Sequence, residues 1–101
     1  WEVRARGRGR VEVPAYGVSD AEHQVEKEIL RAWPESRVEV LEIARAGEAR
    51  IVEEFRVSYR VEATVRLEAP SREEGRREAL RRLRGAFEGT RHRRIEWTRV
   101  E

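Results

Sequence analysis

At 101 residues the chain has room for one hydrophobic core and not for two. Its 22 basic and 20 acidic residues leave a net charge of only +2, which excludes a strong charge field over the whole protein, and the lack of cysteine excludes disulfides, thiolate nucleophiles and Cys-ligated metals. Apolar residues make up 39% and charged residues 42%, yet the apolar ones recur periodically, so the composition describes a folded domain with a densely charged surface and not a disordered chain.

Residues 3 to 15 alternate strictly. Val3, Ala5, Gly7, Gly9, Val11, Val13 and Ala15 fall on one face, and Arg4, Arg6, Arg8, Arg10 and Glu12 on the other, which is a strand of period two. Pro14 and Gly17 break the pattern, and "SDAE" at residues 19 to 22 spells a capping box, in which the Ser19 hydroxyl and the Glu22 carboxylate satisfy each other's free backbone amides. The helix it opens turns Ala21, Val25, Ile29, Ala32 and Trp33 inward and stops at Pro34.

A second strand, residues 37 to 46, has ambiguous parity. Val38 and Val40 lie on one face and Leu41 and Ile43 on the other, which requires either a bulge near Val40 or a strand apolar on both sides. Gly47 and Glu48 turn the chain into a third strand, in which Ile51, Phe55, Val57, Tyr59, Val61, Ala63, Val65, Leu67 and Ala69 share one face, interrupted only by Glu53. After Pro70 a second capping box, "SREE" at residues 71 to 74, starts a helix with Gly75, Ala79, Leu83, Ala86 and Phe87 as its stripe and Gly89 as its end. Residues 91 to 100 close the chain as a last strand, with Ile95 and Trp97 inward.

A shift of 54 positions lays one half of the chain on the other: Val3 on Val57, Val11 on Val65, Val25 on Ala79, Ile29 on Leu83, Trp33 on Phe87, Leu41 on Ile95 and Ile43 on Trp97. The chain is therefore strand–helix–strand twice, one domain of two halves at about 1–46 and 49–101. Two such units close most simply as an α+β, ferredoxin-like βαββαβ sandwich, a four-stranded antiparallel sheet with both helices on one face. The first and third strands are then central, and Gly7 and Gly9 lie inside, where a large neighbour such as Tyr59 can approach the backbone. Val25, Ile29, Trp33, Leu83, Phe87, Val57, Val61, Val65 and Leu67 are the expected core.

The open face of such a sheet gathers Arg4, Arg6, Arg8, Arg10, Arg56, Arg60 and Arg66, with Glu12, Glu62 and Glu68 interleaved. These seven arginines are the candidate anion- or RNA-binding residues, because a guanidinium holds phosphate bidentately and stacks on bases. RNA-recognition modules of this topology bind single strands on that face through aromatic side chains, which this face lacks. The competing reading is cross-strand ion pairing on a solvated or self-pairing sheet, and the near-neutral total charge favours it. "RHRR" at residues 91 to 94 is the other basic cluster, open to two readings: an extension of a phosphate track on an edge strand or, preferred, a charged edge that discourages foreign pairing.

His23 and His92 read as surface histidines, with no spacing of His, Asp or Glu that would bring metal ligands together; neither a metal nor a cofactor is expected. One aspartate, four serines of which Ser19 and Ser71 are assigned as caps, and no glycine-rich phosphate loop make an enzyme the least favoured class. Acylphosphatase chemistry on this topology needs an asparagine, and the chain has none.

The first functional expectation is a non-enzymatic assembly or regulatory domain that pairs with another copy or a protein partner through its sheet, with Val38, Val40 and Val100 as an apolar margin on the open face. RNA or polyanion binding through the arginines is the alternative. No apolar run is long enough for a membrane span or a signal-peptide core, so a cytoplasmic setting without a membrane partner is expected. Because the chain opens on Trp1 and not on methionine, a short preceding segment is expected too. With one lysine, one glutamine and no asparagine, the composition fits avoidance of thermolabile side chains and fits a GC-rich genome equally.

Overall fold

The computed structural model describes residues 1–47 and 51–101, so Glu48, half of the expected turn, lies outside the described residues. The elements run β1 (Glu2–Ala15), α1 (Val18–Ala32), β2 (Ser36–Arg45), β3 (Glu53–Arg66), α2 (Arg72–Glu88) and β4 (Glu96–Val100). The strands make one antiparallel sheet in the order β2-β3-β1-β4, the ferredoxin-like α+β arrangement. Strict alternation makes β1 and β3 the central pair: both are 14 residues long, and they pair from Glu2 opposite Arg66 to Ala15 opposite Glu53.

Residues directly opposite in an antiparallel ladder share a face. The inner face therefore stacks Val3 on Val65, Ala5 on Ala63, Val11 on Val57 and Val13 on Phe55, all buried. Both helices pack on this side, α1 through Ala21, Val25 and Ile29 and α2 through Ala79, Leu83 and Phe87, in the same core. Each buried Val, Leu, Ile or Phe contributes about 1.5 to 3 kcal/mol. Of the expected core residues all but Trp33 are buried; Trp33 caps the end of α1 half-buried, its indole N–H donating to the Thr64 carbonyl at 2.8 Å.

Gly7 and Gly9 are inward positions where the backbone must be bare. A Cβ on Gly7 would stand 2.8 Å from Ile95 Cγ2, and one on Gly9 would fall within the Tyr59 ring. The room left by Gly9 is filled by the Tyr59 ring.

In β2 the bulge is real, and it corrects the parity. The register shifts between Val40 and Glu42, so Leu41 is the additional residue and is exposed, while Val38 faces Val61, Val40 faces Tyr59 and Ile43 faces Val57. Val38 and Val40 thus pack inward against the core, as does Val100 opposite Ala5, so the three do not form an apolar margin on the open face. Leu41 also breaks the repeat, because its counterpart Ile95 is buried.

The helix starts differ. Ser71 caps α2 as expected, accepting the Glu74 N–H at 3.2 Å. In α1 Ser19 is not the cap: Gly17 is, and Ser19 lies within the first turn. Asp20, the third helical residue, reaches back to accept the Tyr16 N–H at 3.0 Å, which performs the backward half of a capping box one step earlier in the chain. Ile51 precedes β3 and is exposed, so the third strand starts at Glu53. At the other end residues 91–94 form a turn, and the last strand begins only at Glu96.

Candidate functional site

All seven candidate arginines are exposed on the side of the sheet away from the helices. Towards the ends of the central ladder the charges pair. Arg66 lies 3.0 Å from Glu2 and 3.2 Å from Glu35, Arg6 lies 3.2 Å from Glu62, and Arg56 lies 3.1 Å from Glu12. Arg4 stands 3.4 Å from Glu2, and Arg60 leans across to Glu39 on β2 at 3.7 Å. Such exposed pairs contribute about 0 to 1 kcal/mol each, so they neutralise the face more than they hold it together.

At the middle of the ladder the pattern changes. Arg8 stands directly opposite Arg60, and Arg10 opposite Ser58. Arg8 has Glu96 as its register partner on β4, yet among the described residues neither Arg8 nor Arg10 has an ion pair. Like charges placed directly opposite each other destabilise a sheet. The two arginines border a shallow depression of about 480 Å³ together with Ser58, Arg94, Glu96 and the extruded Leu41.

Behind this depression sits a cluster that the sequence did not announce. His92, expected at the surface, is buried, with its Nδ1 2.7 Å from the Tyr59 hydroxyl and its Nε2 3.3 Å from Glu28 Oε1. The two rings meet edge to face at 5.4 Å between centroids. Burial pushes the imidazole below its usual pKa, against the pull of Glu28, and the ring is neutral at pH 7. A neutral ring with these neighbours accepts the Tyr59 O–H at Nδ1 and donates its Nε2–H to Glu28. Burial, and then the charge of Glu28, raises the Tyr59 phenol well above its ordinary value, so it remains a donor.

The cluster explains why "RHRR" is a turn. His92 is drawn down beside Tyr59, the Arg91 guanidinium reaches Glu28 of α1 at 2.9 Å, and Arg93 and Arg94 are left exposed. The one hint in the sequence was the 54-residue repeat, which lays His92 on Val38, an inward position. His23 is exposed. Among the described residues no three His, Asp or Glu side chains converge as a metal would require, and no helix is long and apolar enough to cross a membrane.

No protein-family model, curated protein or solved structure matches the chain.

Proposed function

We propose that the chain is a non-enzymatic module that binds single-stranded nucleic acid by its phosphates on the open sheet face. One observation carries this reading: Arg8 confronts Arg60 across the central strands with Arg10 beside them, and among the described residues Arg8 and Arg10 have no ion pair, whereas Arg4, Arg6, Arg56, Arg60 and Arg66 each reach a glutamate. A bound phosphate supplies the counter-charge that Arg8 and Arg10 lack, and the guanidinium fork takes it bidentately. Without aromatic platforms on the face, base contacts are left to the planes of the same guanidinium groups, which stack on bases but read little sequence. Leu41 adds one apolar contact at the rim.

Self-association through the sheet is the second reading, supported by the alternation of Arg and Glu at the ladder ends, which a two-fold related copy complements. Its earlier motive is gone, since Val38, Val40 and Val100 point inward.

The deciding experiment measures fluorescence anisotropy of an oligouridylate of about 10 nucleotides, with wild type and an Arg8→Gln, Arg10→Gln double variant, over about 50 to 200 mM salt. Wild type is expected to bind with a clear salt slope, and the double variant to bind less tightly with a slope flatter by about 0.7 per lost contact. Absence of binding by the wild type, or an unchanged double variant, overturns the reading. Sedimentation of the same samples identifies a dimer if that is the role of the face.

A further inference from the structure

We infer that the bound strand does not end on the sheet but passes round the start of β4 into a second arginine groove along α2, so that the ligand is an extended single strand and not a nucleotide or a free phosphate. This rests on the binding reading above and assigns the rest of the path.

The groove is a depression of about 870 Å³ between α2 and the turn before β4, bordered by Arg77, Arg81, Arg84, Glu88, Arg93 and Arg94 and floored by Ile95. Two of its arginines are committed within the helix. Arg77 lies 3.7 Å from Glu73, and Arg81 donates to Glu78 at 2.8 Å; the hydrogen bonds from Arg81 and Arg82 hold the Glu78 carboxyl down at about 2. Arg84, Arg93 and Arg94 have no ion pair among the described residues, and Glu88 is the one acidic side chain bordering the groove.

Arg94 borders both this groove and the depression at Arg8 and Arg10, and the next two residues divide them: Ile95 belongs to the groove and Glu96 to the face. The two basic surfaces are thus joined at a single side chain. Their junction is held from within, because His92, two residues earlier, is fixed by Tyr59 and Glu28. An anchored turn presents its arginines with less ordering to be done on binding.

A row of unneutralised guanidinium groups on both sides of a bend calls for a ligand with a repeated anion and a flexible backbone. The molecule is only 19 by 17 Å across its shorter axes, whereas a duplex stays straight over about 50 nm, so a double helix cannot follow the turn. A single strand can. Footprints of about 4 to 16 nucleotides are usual for such tracks.

The test compares wild type with two exposed double variants, Arg84→Gln with Arg93→Gln in the groove and Arg8→Gln with Arg10→Gln on the face, after melting curves show that both fold as wild type does. Oligouridylates of about 4 and about 15 nucleotides are titrated by anisotropy, with stoichiometry read at saturation. The expected result is one long oligomer per protein, weakened by either double variant, each flattening the salt slope by about 1.4 and the two together by about 2.8. An unchanged long-oligomer affinity in the groove variant, with the face variant weakened, overturns the path and leaves the face reading standing. Two long oligomers per wild-type protein also overturn it, since the surfaces would then be separate sites. Equal competition by a polyglutamate peptide of the same charge shows that the occupant class is wrong, and no binding by the wild type removes both readings together.

Discussion

The ends and the middle of the β1–β3 ladder are built to different rules. Towards the ends, Val3 meets Val65, Ala5 meets Ala63 and Val13 meets Phe55 inside, with only Glu53 opposite Ala15 departing from the apolar pattern, and Glu2 meets Arg66, Arg6 meets Glu62 and Glu12 meets Arg56 outside. In the middle both rules fail at once: inside, glycine stands opposite Val61 and Tyr59, and outside, arginine stands opposite arginine. The inner departure is offset within the chain, because the space over Gly9 holds a ring that makes a buried hydrogen bond to His92. The outer one is offset only in part among the described residues: Arg60 reaches Glu39 at 3.7 Å, and Arg8 has no ion pair. A local conflict that the fold does not resolve for itself is where function is expected.

The largest effect is expected towards the end of the ladder, where the core packing is regular. Phe55→Ala removes a buried ring next to Val13 and is expected to cost about 3 to 5 kcal/mol in urea unfolding. A loss below about 1 kcal/mol would show that the ladder end is not core. The middle of the inner face gives a smaller effect, read by pH. Folding lowers the pKa of His92 below its unfolded value of about 6.5, chiefly by burial, so the native state binds fewer protons than the unfolded one. The contribution of the neutral ring is fully present above about pH 6.5 and is lost as the pH falls below it. Unfolding midpoints between about pH 7.5 and pH 5 should therefore drop more for wild type than for His92→Gln, and parallel curves would deny the buried neutral ring. The outer face gives the smallest effect. Arg8→Gln relieves the confrontation with Arg60 and should change stability by no more than about 0.5 kcal/mol, in the stabilising direction, while Arg6→Gln loses its partner Glu62 and should cost up to about 1 kcal/mol. Thermal melts of the two side by side decide it; a clear loss for Arg8→Gln would mean that the fold has found a partner for that side chain.

How far the sequence carried depends on the range of the interaction involved. Strand β1 and the two helical stripes are written in local periodicity, and the topology follows from two strand–helix–strand units. The outward parity of the seven arginines follows from the same alternation. Whether each arginine is neutralised does not, because it depends on register between strands some fifty residues apart: Arg6 and Arg8 look alike in the sequence, and only the register sets Arg6 opposite Glu62 and Arg8 opposite Arg60. Similarly, His92 is flanked by Arg91, Arg93 and Arg94, which read locally as a wet edge, and only the bare backbone at Gly9 and the reach of Tyr59 make a buried place for its ring. At the start of α1 two rival acidic partners, Asp20 and Glu22, lay within one turn, and the choice between them was set by where the chain leaves β1.

Leu41 gives β2 the character of a sentence in two metres. Before it the inward residues carry even numbers, Val38 and Val40; after it the beat falls on the odd-numbered Ile43, and one extruded leucine absorbs the change. A single-residue insertion or deletion elsewhere in a strand turns its apolar side to water. Loss of the residue at position 41 instead leaves Val38, Val40 and Ile43 in unbroken alternation, so the inward set stays inward. A one-residue loss within β2 can therefore be absorbed at this one place, on the rim of the arginine-lined depression, without disturbing the pairing of Val38 with Val61 or of Val40 with Tyr59.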